Sequence, residues 1–371
     1  MALHQSTIYQ ALILTQLPAI GNITARKLVA ACGSIEAVFK EKSNHLASIE
    51  GINKNVVHSL KNIQSDIYDK AEKEVAFIEE NKIQTYILNE ENYPKRLRHC
   101  PDAPLLFFGK GNMDFNVPKV IAIVGTRMAT TYGKDVTKQL ISDLSDYDIL
   151  IVSGLAFGID TAAHQASLHH NQQTVAVLGH GLKMIYPASN RKLATRMLQK
   201  GGIITEFMSD AIPDAMNFPM RNRIIAGLSD AVVVVEAKKE GGALITANLG
   251  FSYDRDIFTV PGRVGDINSE GCHNLIKSNK AALITSAADI LEIMRWSDEG
   301  EKRKNRQEKL FFDVSEDEKL IIEALKQENE VNIDSLLLKI NMPHARLIAV
   351  LLELECKGYI ECLPGKRYTL T

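Results

Sequence analysis

The 371-residue chain lacks most of the features that announce a metal, a membrane or a cofactor. Its five cysteines (Cys32, Cys100, Cys272, Cys356 and Cys362) are odd in number and scattered, with no Cys-x-x-Cys pair. That spacing speaks against a thiolate zinc site and a disulfide framework, and it fits the reducing cytoplasm. The longest apolar runs, such as 231–235, fall far short of the ~20 residues that span a bilayer. The start of the chain shows no charged segment leading into an apolar stretch and a cleavage site, so no secretion signal is expected. Charge of one sign is also missing. Forty-three Lys and Arg against 45 Asp and Glu leave a net charge of −2, so any polyanion has to meet a local patch. What remains, 45% hydrophobic and 24% charged residues, describes a globular chain long enough for two or three domains.

Catalytic constellations are equally thin. Ser153 does not stand in a Gly-x-Ser-x-Gly elbow. Asp160 and His164 share a helix face at i, i+4, but no third ligand at metal spacing accompanies them, and a structural role is the better reading. His169-His170, His180 and His273 read as surface or core histidines. No cofactor and no metal is expected.

Residues 1–80 read as helical, with apolar positions at helical spacing. Inside them Leu17-Pro18-Ala19-Ile20-Gly21 and Ile49-Glu50-Gly51-Ile52 echo one another as turns between short helices, the pattern of a helix-hairpin-helix. The second turn lacks basic residues, and a structural helical domain is at least as good a reading as DNA contact. From 81 to 297 strand-like runs at 85–88, 105–108, 120–124, 148–152, 174–178, 202–205, 231–236, 256–260 and 281–285 alternate with helical patterns. The expected fold class is α/β, an extended Rossmann-like, doubly wound and mostly parallel sheet. Residues 298–312 are almost wholly polar and include the basic run 302–306, which reads as a charged linker. Residues 313–371 read as a winged helix, opened by the capping box Ser315-Glu316-Asp317-Glu318. Its recognition helix carries His344 and Arg346 but also Glu353 and Glu355, so protein contact and weak DNA contact are equally open.

The chemistry gathers in turns that follow strands. The run 120–124 ends at Gly125-Thr126-Arg127, placing N–H groups, a hydroxyl and a permanent cation before a helix. Such a turn seats phosphate. It matches neither the G-x-G-x-x-G nor the G-x-x-x-x-G-K-[ST] fingerprint, which argues against dinucleotide binding and ATP hydrolysis. Ser153-Gly154-Leu155-Ala156-Phe157-Gly158 ends the next strand, and Tyr186-Pro187-Ala188-Ser189-Asn190-Arg191-Lys192 brings an aromatic ring, an amide and two cations to a helix start. Phe218-Pro219-Met220-Arg221-Asn222-Arg223 sets two arginines at another helix start, suited to phosphate oxygens or, on the bland reading, to bridging Glu206 and Glu236.

Taken in order, these segments with Gly242-Ala243-Leu244-Ile245-Thr246-Ala247 and Val260-Pro261-Gly262 resemble the DprA/Smf DNA-processing family over roughly 105–290. The resemblance implies a non-enzymatic, sequence-independent binder of single-stranded DNA. Such proteins protect incoming DNA in natural transformation and help load RecA recombinase, commonly as homodimers. Carried over by motif, Arg127 is the principal phosphate ligand in the turn of Gly125 and Thr126. Ser153 and Gly154 contribute a second turn, Arg221 and Arg223 line the same pocket, and Asn190 with Arg191 or Lys192 forms its far wall. Tyr186 and Phe218 are candidate stacking aromatics. Thr126 stands where the family often has serine, and Glu240 adds a negative charge beside the expected groove. The alternative is a Rossmann-type nucleotide hydrolase of the lysine-decarboxylase-like family, whose signature glutamate has no counterpart after Ala247.

Overall fold

The computed structural model describes residues 2–296, 315–327, 331–340, 342–357, 359–363 and 367–370. The linker expected at 298–312, with its basic run, lies outside them. Contacts divide the chain into two compact units, residues 1–303 and 304–371.

A nine-stranded sheet organises the first unit. Its strands are β1 (Gln84–Ile87), β2 (Leu106–Gly111), β3 (Lys119–Val124), β4 (Ile149–Ser153), β5 (Thr174–Val177), β6 (Gly201–Thr205), β7 (Ala231–Val234), β8 (Asp256–Thr259) and β9 (Ala282–Leu283), in the spatial order β1-β2-β6-β5-β4-β3-β7-β8-β9. Seven strands from β6 to β9 run parallel, while β1 and β2 join antiparallel at one edge. The expected α/β class is observed, down to each strand-like run.

The alternation within β3 shows why helices cover both faces. Val120, Ala122 and Val124 enter one core together with Val152, Val175 and Val234. Ile121 and Ile123 enter the opposite core with Ile151, Val233 and Phe258. Successive side chains of a strand point to opposite faces, so a strand apolar at every position has to be covered twice. From β3 the chain winds outward through β4, β5 and β6, then returns to the other side of β3 for β7, β8 and β9. That reversal between β3 and β7 opens a crevice at the strands' carboxyl ends, where such sheets take ligands.

The helical segment does not stand apart from this sheet. Leu12, Leu28 and Val56 belong to the same apolar core as Val120 and Val232. The two expected hairpin turns are present, with Ala19 and Gly51 at φ 65 and 82. The first turn faces inward: Asn22 Nδ2 donates to Glu206 Oε2 at 3.2 Å. A second polar clasp lies on the Ser65–Glu80 helix. The buried Glu74 carboxylate accepts the Ser209 N–H at 2.9 Å and the Ser209 hydroxyl at 2.7 Å. Burial pushes the Glu74 carboxyl above its ordinary range, and the two Ser209 donors pull it back.

The second unit carries helices Glu316–Gln327, Ile333–Ile340 and His344–Cys356 and a three-stranded sheet around Ile322, Leu336, Leu351 and Leu354. The capping box forms, with Ser315 N donating to Glu318 Oε2 at 2.7 Å, and Glu318 also pairs with Lys357 at 2.7 Å. Arg346, a candidate reader of DNA, is paired with Asp317. Glu353 and Glu355 are exposed on the same helix.

Replacing Glu74 by alanine leaves both Ser209 donors buried without an acceptor. Urea denaturation should show a loss of about 1–3 kcal/mol relative to wild type; an unchanged midpoint would mean that the clasp contributes nothing.

Candidate nucleic-acid interface

Beyond β3 the Gly125-Thr126-Arg127 turn is fastened at both ends. Thr126 N donates to Glu236 O at 2.7 Å, and Thr126 Oγ1 accepts the Met128 N–H at 3.2 Å. Thr130 N donates to the buried Glu236 carboxylate at 3.0 Å, which locks the entrance of the Thr131–Leu144 helix. Glycine is required beside it. Gly158 has φ 78, and a Cβ there would stand 2.2 Å from Thr126 O. With its flanks held, Arg127 projects outward and is exposed. Its guanidinium lies 5.0 Å from the Phe218 ring centroid, a cation–π contact, and it has no ionic partner among the described residues.

Arg221 is the inner counterpart. It is 4% exposed, and its Nη1 donates to Gly154 O at 2.6 Å and also to Val177 O, bridging the carboxyl ends of β4 and β5. Gly154 leaves the room for it, since a Cβ there would meet Nη1 at 2.4 Å. Asp160 supplies the counter-charge from below while its Oδ2 accepts Gly154 N at 3.1 Å and Ala156 N at 3.3 Å. Burial lowers the Arg221 pKa to about 10, Asp160 opposes the shift, and the nearby Arg127 cation adds to it. Arg221 therefore stays charged at neutral pH. Its Nε is buried with no hydrogen-bond partner.

These groups open onto a cavity of about 710 Å³, lined among others by Arg127, Arg221, Asn222, Phe218, Tyr186 and Lys238. That size accommodates a nucleotide. Tyr186 and Phe218 stand 6.0 Å apart between ring centroids, inclined by 34°, and Tyr186 is 44% exposed. His180 places that wall, donating from Nδ1 to Gly181 O at 2.9 Å and accepting Tyr186 N on Nε2 at 3.2 Å. The Gly241-Gly242 turn closes the opposite side, where Asn222 Nδ2 donates to Gly242 O at 3.1 Å.

Of the residues expected in the groove, Gly125, Thr126, Arg127 and Arg221 line it. Arg223 does not. Two residues along the helix turn its side chain by ~200° from that of Arg221, and it pairs with Glu206 while Nη1 donates to Asp102 O at 2.6 Å. The bland reading, an arginine bridging Glu206, is what the structure holds there. Ser153 is fully buried and donates to Ile123 O at 2.6 Å, so it ties β4 to β3. Gly154 also lies beneath the cavity lining, as the seat of Arg221. Asn190 is 6% exposed and donates to Leu155 O at 3.0 Å and Thr161 Oγ1 at 2.8 Å, bracing the β4 turn from behind. Arg191 and Lys192 are exposed but outside the lining.

Asp160 and Lys238 were missed. The sequence does carry a signal for Lys238: Lys238-Lys239 stands four residues past β7, beyond the carboxyl end where ligands sit. Asp160 stands at i, i+4 from His164, but its partners are the Gly154 and Ala156 N–H groups and Arg221, which no spacing reveals.

Residues 84–295 match the family of DNA recombination-mediator protein A, and residues 310–366 match the DprA winged helix domain. The chain belongs to the DprA/Smf family. It is 41% identical to the DNA processing protein DprA of Streptococcus pneumoniae over 211 residues, covering 57% of this chain and 74% of that protein. Identity to protein Smf of Escherichia coli is 35% over 282 residues, 75% of each chain. The S. pneumoniae DprA crystal structure superposes with TM-score 0.66 at 34% identity, covering 77% of this chain and 97% of that one. DprA from Helicobacter pylori, described for its single-stranded DNA binding mode, superposes with TM-score 0.53 at 29% identity over 58% of this chain and 96% of that one. Seen in this chain, the DprA/Smf motifs divide into a displayed set around Arg127 and a buried set that holds it in place.

His164 belongs to the buried set. Thr174 Oγ1 donates its one proton to Ile151 O at 3.0 Å, so His164 Nδ1 is the donor to Thr174 at 2.7 Å and Nε2 is left bare. Burial, aided by Arg221, lowers its pKa to about 3. The unfolded chain takes up a proton below pH ~6.5 that the folded chain refuses, so stability is full above that pH and falls on acidification. Between pH 7 and 5 the wild type should lose about 2 kcal/mol more than His164→Gln in urea titrations. Parallel pH profiles for the two proteins would contradict the buried neutral histidine.

Proposed function

We propose that this protein binds single-stranded DNA without sequence preference, holding backbone phosphate between Arg127 and Arg221 and stacking a base on Phe218 and Tyr186. The observation that carries the reading is the Arg127 guanidinium, exposed, without an ionic partner and poised over an aromatic ring beside a second, buried guanidinium. Two like charges brought that close to an open cavity are matched by an anion, and a planar guanidinium suits phosphate. Thr126, Gly125 and Lys238 complete the anion-holding side, while the rings accept any base because every base has a π-face. The net charge of −2 does not oppose this, since the cations are local.

By family analogy the bound strand is protected and passed to RecA recombinase in natural transformation or recombination, in the cytoplasm and by a homodimer. The role is holding rather than catalysis. Asp160, one of two carboxylates lining the cavity, is committed to two N–H groups and to Arg221, which does not suit it to act as the base of a nucleotide hydrolase. Glu240 lines the Gly-Gly side and tempers the affinity.

Titrating a labelled oligonucleotide by fluorescence anisotropy tests this. Arg127→Ala should weaken binding about tenfold or more, the worth of a charge-assisted hydrogen bond of ~1.5–3 kcal/mol, and make it less salt-dependent. Equal affinity of mutant and wild type would sink the reading. Release of free base from a nucleoside monophosphate would favour the hydrolase instead.

A further inference from the structure

A second cavity, also of about 710 Å³, lies where the helical segment meets the sheet. It takes no part in the groove described above, yet the two share a wall. Residues 206–211 and Met220 line this cavity, while Pro213, Ala215, Phe218, Pro219 and Arg221 line the groove. Neighbouring Cα atoms are only ~3.8 Å apart, so Pro219 and Met220 bring the two spaces to within a residue of each other. Met216 and Met220, 77% and 48% exposed, form an apolar sill along that shared segment.

The cavity combines the parts that a nucleotide requires. Lys70, Lys73 and Lys183 line it and are exposed. Lys70 pairs with Asp66 at 3.0 Å and Lys183 lies 5.2 Å from the Phe77 ring centroid, whereas Lys73 has no ionic partner among the described residues. The Asn22–Cys32 helix opens at Gly21 without a side-chain cap, and its first internal bond is Ala25 N to Gly21 O. Gly21 and Asn22 line the cavity, so the positive end of that helix is directed at it. Phe108, Phe207 and Met220 provide an apolar wall. Glu206 adds an independent sign of a missing partner: its side chain is 8% exposed, Oε2 is held by Arg223 and Asn22, and the buried Oε1 has no hydrogen-bond partner. It lacks a donor, and an exocyclic amine or ring N–H of a base is a group of that kind. Of the other carboxylates, Glu74 is satisfied by Ser209, and Asp210 alone is exposed.

We propose that this cavity is a second nucleotide-binding subsite, formed jointly by the helical segment and the sheet, which takes a base against its apolar wall and phosphate on Lys73 and Lys183. The nucleotide comes from the same DNA strand, running on from the Arg127 groove over Met216 and Met220. This extends the function proposed above and rests on it.

The test compares oligothymidylates of about six and about 20 nucleotides, spanning the range of site sizes in single-strand binders, together with free deoxynucleoside monophosphate. Binding is measured to wild type, Lys73→Gln/Lys183→Gln and Arg127→Ala. Both lysines are exposed, so the double variant should fold; its circular dichroism serves as the check. The double variant should bind the long oligomer about tenfold more weakly, with a salt slope lower by about 1.4 for two lost phosphate contacts, and bind the short one as wild type does. Arg127→Ala should weaken both. An unchanged long-oligomer affinity in the double variant, with Arg127→Ala still impaired, overturns the subsite and leaves the groove standing. Failure of wild type to bind either oligomer overturns the groove and the subsite together. Saturable, lysine-dependent binding of the free monophosphate with no effect on the long oligomer would also overturn the strand assignment, making the cavity a site for free nucleotide.

Discussion

The interaction on which this architecture turns is the burial of the Arg221 guanidinium at the carboxyl ends of β4 and β5. Removing a permanent cation from water is costly unless carbonyl oxygens and a counter-charge surround it. Here the oxygens of Gly154 and Val177 and the Asp160 carboxylate do so. Much of the surrounding sequence follows from that demand. Gly154 has no side chain because the guanidinium occupies its place. Leu155 takes a positive φ of 57 while fully buried, and Asn190 braces its carbonyl. Asp160 opens the next helix from a position where its oxygens reach two turn N–H groups. The Arg221 guanidinium is thus held by two backbone carbonyls and a carboxylate, while its buried Nε has no hydrogen-bond partner.

Arg127 is built on the opposite principle. Its turn is fixed by Glu236, Thr130 and the glycine at 158, but among the described residues its own side chain is held only by the Phe218 ring. A rigid inner cation and an adaptable outer one suit a ligand whose backbone repeats without offering a unique shape. Affinity then comes from phosphate and stacking, and no base edge needs to be read. Two of the acidic residues near the arginines are paired with a cation, Glu206 with Arg223 and Asp160 with Arg221, and Arg127 and Lys238 line the groove as further cations in a chain of net charge −2.

How much of this was legible in the sequence depended on the kind of physics involved. Strands apolar at every position, such as 120–124 and 231–234, announce a sheet covered on both faces, and each appeared where the pattern placed it. The turn at Gly125-Thr126-Arg127 was equally plain, because glycine, hydroxyl and arginine follow a strand without interruption. Direction was not plain. Arg221 and Arg223 read as a pair, yet two residues along a helix turn a side chain by ~200°, and one faces the groove while the other meets Glu206. Ser153 and Asn190 carry the right polar groups but spend them on backbone carbonyls, and no local spacing discloses a bond made to a residue 30 or more positions away. Nor did periodicity disclose that the helical segment shares the sheet's core, since the Glu74–Ser209 clasp spans 135 residues.

The central claim is that one phosphate lies between Arg127 and Arg221. A crystal structure of the protein with a short oligothymidylate tests it most directly. The expected result is a phosphate oxygen within hydrogen-bond distance of both guanidinium groups, with a base against Phe218 or Tyr186. A strand bound elsewhere, with Arg127 still directed into solvent, would contradict it.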